Sequence, residues 1–267
     1  MYFIRRLGRL FFGMSSSSVT FPLRAGDSVS TVSLTENPRL EEAPQSLLLI
    51  NSNLCHDNVG ITHEITVHCF RAADGELYHV AADRTQPPPP ETGDQAADTR
   101  PAASRQARSS GNIVNQISTS FSKKEARDRI RRFTPTGLLT SWWEAAIPGG
   151  VRIVELKITR GGTPCLTLLQ VAYVLRSVSE YSEHIYVLAR ENCWWYARCV
   201  GLLLEILAAQ PTTPDAREKL EDDYFRRVPL RLQIPAFFDN DRIRADVAKI
   251  EEHYNDLVRN NEFILLD

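Results

Sequence analysis

One apolar segment restricts the fold of this chain more than any other part of its sequence. The stretch from Tyr186 to Leu207 reads YVLARENCWWYARCVGLLLEIL, and after Asn192 it is apolar on nearly every side at helical spacing. A helix that is hydrophobic all round has to be surrounded by other elements. We therefore expect this helix at the centre of the core. No apolar run reaches the roughly 18 residues that a membrane-spanning helix requires.

Strand patterns precede this helix and suggest what covers it. Alternating or β-branched runs predict strands at 47–54, 61–71, 76–83 and 151–159. The second and third runs flank an Asp-Gly pair, which is typical of a hairpin. Helical spacing predicts helices at 122–133 and at 163–181, the latter with Thr163 as N-cap and Pro164 in the first turn. The expected class is α+β, with a small antiparallel sheet packed on the buried helix.

Composition along the chain divides it into three parts. Residues 1–40 are arginine-rich and then serine-rich, which predicts a disordered or targeting tail. Residues 41–210 carry the core, interrupted at about 85–120 by a proline- and serine-rich insertion that we expect to be disordered. Residues 211–267 predict a C-terminal helical extension, because an apolar stripe follows helical spacing there.

Charge and cysteine content exclude several classes of protein. The net charge of −2 gives no attraction of the whole molecule to nucleic acid. The five cysteines form no CxxC pair and no metal-type spacing, which disfavours a disulfide framework and a zinc site. We expect reduced thiols inside the cell, in the cytoplasm or, given the arginine-rich start, in mitochondria. No cofactor is indicated.

Cys193 stands where a thiol becomes nucleophilic. Asn192 is a strong N-cap residue, so Cys193 falls in the first turn of the apolar helix. The positive end of the helix dipole favours thiolate over thiol at that place. Cys199 lies further inside the same helix and lacks this field. The alternative for Cys193 is a small buried residue without chemistry.

A thiol nucleophile needs an imidazole beside it as base, and the predicted hairpin offers three. On its first strand His63 shares the apolar face, which we expect to pack on the Cys193 helix, whereas His68 shares a more polar face and is expected in solvent. On the return strand His79 lies between apolar neighbours. An even-membered loop would pair His68 with His79, and an odd-membered loop or a bulge would pair His63 with His79. His63 is the preferred base and His68 the alternative.

The pattern of a histidine, an Asp-Gly turn, "LYHV" and a later "YVLARENCWWY" resembles the circularly permuted papain-like thiol hydrolases, with the lecithin:retinol acyltransferase-like enzymes closest in pattern. The chain is also similar to uncharacterised fungal proteins with a Cys-aromatic-aromatic helix start. The resemblance covers about residues 45 to 208. It implies that Cys193 attacks an acyl carbonyl, that His63 is its base and that His79 orients His63. The expected reaction is acyl hydrolysis or transfer on an amide, ester or isopeptide through a thioester.

A binding or scaffold role for a catalytically inactive protein of the same fold is the alternative function. Basic residues outnumber acidic ones from Arg100 to Arg132 and could dock on an anionic membrane or on RNA. These residues are Arg105, Arg108, Lys123, Lys124, Arg127, Arg129 and Arg131. The tryptophans Trp142, Trp143, Trp194 and Trp195 could line an apolar cleft for a lipid or a peptide.

Overall fold

The structure is a computed structural model that describes most of the chain. It covers residues 21–24, 26–36, 47–56, 63–85, 124–135, 142–147, 149–182, 185–186, 193–228 and 240–262. The strands are β1 (Ser28–Ser30), β2 (Leu48–His56), β3 (Glu64–Arg71), β4 (Leu77–Thr85), β5 (Lys124–Glu125), β6 (Arg127–Phe133), β7 (Val151–Glu155), β8 (Thr159–Arg160), β9 (Thr163–Pro164) and β10 (Ile185–Tyr186). The helices are α1 (Thr31–Thr35), α2 (Leu168–Tyr181), α3 (Cys193–Ala209), α4 (Pro214–Arg227) and α5 (Asn240–Glu262), and a 3-10 helix spans Trp142–Ala145.

Six of the strands form one antiparallel sheet in the order β1-β6-β4-β3-β2-β7. The central strand β3 is buried along nearly its whole length, since helices cover one face and the residues around the 3-10 helix cover the other. The prediction of an α+β fold with an antiparallel sheet and a C-terminal helix is therefore confirmed.

The β3–β4 hairpin sets the positions of the histidines. Arg71 pairs with Leu77, which leaves a loop of five residues containing Gly75 at φ 91°. Glycine adopts this left-handed backbone at no steric cost. The odd-membered loop places Cys69 opposite His79, so His63 and His79 point to the same side of the sheet.

Helix α3 lies at the centre of the molecule, with 14 of its residues buried. It packs on β3 and β4 and is covered by α2 and α5. Helix α5 buries the stripe Ile243, Val247, Ile250 and Tyr254 in the same core. Within the described ranges, no helix is both long enough and apolar enough to cross a membrane.

Two predicted helices differ from the structure. Residues 127–133 form the extended strand β6, in which Arg127 and Arg129 are exposed and Asp128 and Ile130 are buried. The period-two burial and the pairing with β4 outweigh the helical spacing of charges. Helix α2 begins at Leu168 with Thr167 as its N-cap, not at Thr163, because Thr163–Pro164 is strand β9.

The prediction of a disordered or targeting tail over residues 1–40 does not hold for the described part of that segment, residues 21–24 and 26–36. Ser28–Ser30 is an edge strand of the main sheet, and Phe21, Leu23 and Leu34 are buried in the core. Phe21 stacks on Tyr78 with ring centroids 4.7 Å apart. This burial of aromatic surface anchors the segment to β4. The predicted insertion at about 85–120 lies almost wholly outside the described residues.

The two faces of the sheet are reversed relative to the prediction. The face that packs on α3 carries Glu64, Thr66 and His68, and the face of Ile65 and Val67 packs instead against Ala146, Ile147 and their neighbours. The prediction failed because it took Glu64 to be solvated, whereas a charged side chain can be buried when it is paired.

Candidate active site

Cys193 is the first residue of α3 and is 7% exposed. The first backbone N–H groups of a helix have no carbonyl partner within the helix, so they place partial positive charge at the side chains of the first turn. Asn192, its predicted N-cap, lies outside the described residues. The position of the thiol in the first turn agrees with the chemistry expected of a nucleophilic cysteine.

His63 joins Cys193 to the sheet. It lies immediately before β3, with its side chain 28% exposed, and it is hydrogen-bonded to Cys193 on one side. On the other side its Nε2 lies 3.4 Å from Oδ2 of Asp83. Burial lowers the pKa of His63, but the hydrogen bonds with Asp83 and Cys193 outweigh burial and raise the pKa to about 10. The ring is therefore held as an imidazolium at neutral pH.

Asp83 is the third member of this cluster. Two arginines of β6 reach it: Arg129 donates to both carboxylate oxygens at 3.0 and 3.3 Å, and Arg131 lies 3.8 Å away. Burial pushes the pKa of Asp83 upward, but hydrogen bonds from His63 and Arg129 have the larger combined effect and leave the pKa below its usual value. An ionised Asp83 can fix the orientation of the His63 ring.

His79 does not lie beside His63, although the two residues share a face. It pairs with Cys69, six residues along the strand from His63, and at 3.3 Å per residue this separation is about 20 Å. Its ring centroid lies 5.2 Å from Trp142 and 5.7 Å from Phe133. Burial lowers the pKa of His79. His79 therefore belongs to an aromatic cluster with Trp142 and Phe133. Asp83, and not His79, contacts His63, the candidate base.

His68, the alternative base, is fully buried rather than solvated. Its Nδ1 lies 2.8 Å from the hydroxyl of Ser52 and its Nε2 lies 3.0 Å from the hydroxyl of Thr66. Burial lowers its pKa to about 3, so the ring is neutral. These two hydroxyl partners satisfy both ring nitrogens within the core, on the face opposite to that of Asp83.

A buried ion pair fixes the Cys193 helix to the strand that follows His63. Glu64 accepts hydrogen bonds from Arg198 of α3 at 3.1 and 3.3 Å, and both side chains are at most 4% exposed. Arg198 also donates to the carbonyl oxygen of Val228. The pair connects the residue next to His63 with the helix that begins at Cys193.

The other four cysteines lie outside the first turn of α3. Burial raises the pKa of Cys55 to about 12 and that of Cys69 to about 11. Cys199 is fully buried inside α3, and Cys165 is half-buried. Cys55 and Cys69 are therefore protonated at neutral pH and poor nucleophiles.

The tryptophans do not form one cleft. Trp195 is buried, stacks on Tyr181 at 6.3 Å and donates from Nε1 to Asp246 at 3.0 Å. Trp142 and Trp143 pack on the other face of the sheet in the cluster around Ile147. Trp195 is thus a core residue, whereas Trp142, Trp143 and Trp194 are half-buried.

Metal ligands are not grouped in the described parts of the chain, where no three His, Cys, Asp or Glu side chains are placed to hold an ion. Comparison with protein-family models, with curated proteins and with solved structures finds no match to this chain.

Sequence reasoning missed Asp83, Arg129 and Glu64 as parts of the site. A signal for Asp83 existed in the hairpin register, because a five-residue loop places Asp83 opposite Ile65 and one pleat away from His63. No comparable signal existed for Arg129, since it depends on β6 being a strand next to β4.

Proposed function

We propose that this protein is a cysteine-dependent acyl hydrolase or acyltransferase with Cys193 as nucleophile, His63 as acid and base, and Asp83 as the group that orients His63. One observation carries the proposal: the His63 ring contacts the Cys193 thiol and the Asp83 carboxylate together. A nucleophile, an imidazole and an orienting carboxylate in series recur in hydrolases of unrelated folds. The sheet packed on a helix that begins with cysteine also fits the permuted papain-like architecture.

The first half of the reaction forms a thioester. The Cys193 sulfur attacks the carbonyl carbon of an amide, ester or isopeptide, and the carbonyl electron pair moves to oxygen. His63 holds the proton that the Cys193 thiol gives up for this attack, while the Nε2 of His63 faces Asp83. When the tetrahedral intermediate collapses, His63 gives this proton to the departing amine or alcohol.

The second half releases the acyl group. His63 takes a proton from water, or from an amine or alcohol acceptor, as the oxygen or nitrogen attacks the thioester carbon. The bond from carbon to sulfur then breaks with its electron pair on sulfur, and the proton that His63 took from the acceptor stays between His63 and Cys193. The first amides of α3 can stabilise the oxyanion in both halves because they have no partner within the helix.

Trapping the thioester tests this proposal without knowledge of the natural substrate. The protein is incubated with a panel of p-nitrophenyl esters of increasing acyl length, quenched in acid and digested for mass spectrometry. We expect the acyl mass on the peptide that contains Cys193, together with a burst of p-nitrophenol. His63→Ala should remove both signals, because it removes the imidazole that is hydrogen-bonded to the thiol.

The matched control is Cys199→Ala, which changes a thiol in the same helix away from the first turn. It should retain the burst and the acyl mass if it remains folded by circular dichroism. Undiminished turnover in Cys193→Ala would refute the thiol mechanism. Such a result would favour the alternative of a binding or scaffold protein of the same fold.

A further inference from the structure

A row of arginines lies beside the candidate active site on the outer face of the sheet. Arg127, Arg129 and Arg131 alternate along β6 and share the face of Asp83, since Arg129 pairs directly with Asp83 in register. The side chains of Arg129 and Arg131 are 44% and 38% exposed. Both side chains are therefore partly exposed next to the cluster of His63 and Cys193.

The arginines are not satisfied by the carboxylate that they share. Asp83 is the single carboxylate in ion-pair contact with Arg129 or Arg131 among the described residues. In the same part of the chain, Arg127 makes no ion pair, and the buried Nε of Arg131 has no hydrogen-bond partner. Two guanidinium charges thus meet one carboxylate charge beside the cluster of His63 and Cys193.

Neighbouring ion pairs do not cancel this excess. Asp128 lies between Arg127 and Arg129 in sequence but points to the opposite face, where it binds Arg84 through two hydrogen bonds of 2.6 Å. Glu64 is likewise committed to Arg198 inside the core. Asp128 and Glu64 therefore add no negative charge to that of Asp83 on the outer face.

We propose that Arg129 and Arg131 bind an anionic group of the substrate, a carboxylate or a phosphate, next to the carbonyl that Cys193 attacks. This inference rests on the proposed function and specifies its substrate class. Arg129 uses Nε and Nη2 on Asp83, so the donors that Asp83 does not engage are the Nη1 of Arg129 and the terminal nitrogens of Arg131. Guanidinium N–H groups such as these bind carboxylates and phosphates through charge-assisted hydrogen bonds. Because both arginines also hold Asp83, the anion subsite and the orientation of His63 are parts of one hydrogen-bonded cluster.

Alkylation of Cys193 by two matched reagents tests the inference directly. Iodoacetate and iodoacetamide form the same bond from sulfur to carbon and expel iodide, but only iodoacetate carries an anion. The rate constant for iodoacetate divided by that for iodoacetamide is measured at Cys193 by mass spectrometry at low ionic strength. This ratio should exceed the same ratio for a small neutral thiol such as N-acetylcysteinamide. The iodoacetamide rate alone reports whether the thiol is reactive.

Removal of the positive charge should lower the ratio. Arg129→Gln and Arg131→Gln should each reduce it about twofold, which is the effect expected in water of one unit charge at roughly 10 Å. Arg131→Lys keeps the charge and should retain most of the preference. Arg259→Gln, which removes an exposed arginine from the last turn of α5, is the matched control and should leave the ratio unchanged.

Competition separates the two anion sources. Inorganic phosphate and succinate are added at equal ionic strength, and the ion that slows alkylation at the lower concentration identifies the preferred group. A Cys193 that reacts with iodoacetamide but shows no preference for iodoacetate would overturn the anion subsite alone. A Cys193 that reacts with neither reagent would overturn the proposed function and this inference with it.

Discussion

Breaking the buried pair of Glu64 and Arg198 should strongly destabilise the protein. Arg198→Met leaves the Glu64 carboxylate buried at 4% exposure without its cation, and Glu64→Leu leaves the Arg198 guanidinium without its anion. Removal of one partner of a buried ion pair typically costs about 3 to 5 kcal/mol. Small domains have total stabilities of about 5 to 15 kcal/mol, so each single variant should lose a large part of it.

The double variant distinguishes loss of pairing from loss of packing. The double variant Glu64→Leu/Arg198→Met leaves no charge at this site, and we expect its free energy of unfolding to recover to within about 2 kcal/mol of the wild type. The measurement is urea denaturation followed by fluorescence of the four tryptophans. Arg152→Met is the control, because the Arg152 side chain is 48% exposed and its ion pair with Glu155 should contribute less than about 1 kcal/mol.

Two results would refute this reasoning. The first is a loss of less than about 1 kcal/mol in both single variants, which would show that solvent reaches the pair. The second is a double variant that is destabilised by the sum of the two single losses, which would show that the side chains contribute by packing and not by mutual attraction.

Three further changes have defined outcomes. Burial lowers the pKa of His68 to about 3, so below about pH 6.5 the unfolded chain binds a proton that the folded chain does not bind. The free energy of unfolding should therefore fall as the pH drops below about 6.5. His68→Gln should reduce this dependence of stability on pH by up to about 1.4 kcal/mol per pH unit, measured by urea denaturation. Asp83→Asn should lower the pKa of His63, moving the alkaline loss of esterase activity to lower pH. A chain that ends before Asn240–Glu262 should aggregate in light scattering, since it exposes the apolar surface around Trp195.

The sequence carried enough information for the core of the fold. The helix that begins at Cys193 is apolar on nearly all sides, and such a helix is stable only when other elements surround it in the core. The hairpin followed from its Asp-Gly turn and from alternating residues on each side. These features are local, so they can be recognised without knowing which elements meet in space.

The parts that failed depend on contacts between distant segments. Residues 127–133 look helical by charge spacing, and only their pairing with β4 makes them a strand. Glu64 looks solvated until Arg198 lies opposite to it, 134 residues later in the chain. The orienting residue was assigned to His79 from a family resemblance, whereas the hairpin register places Asp83 nearer to His63.

Titration of the His63 ring tests the central claim most directly, because the claim is that His63 interacts with Cys193 and Asp83 together. The ring nitrogen shifts of His63 in nitrogen-15-labelled protein are followed by NMR from pH 5 to about pH 11. We predict a pKa near 10 in the wild type, and a lower value in Cys193→Ala, which lacks the hydrogen bond between His63 and the sulfur. A wild-type His63 that titrates near 6.5, unchanged by Cys193→Ala, would contradict the account.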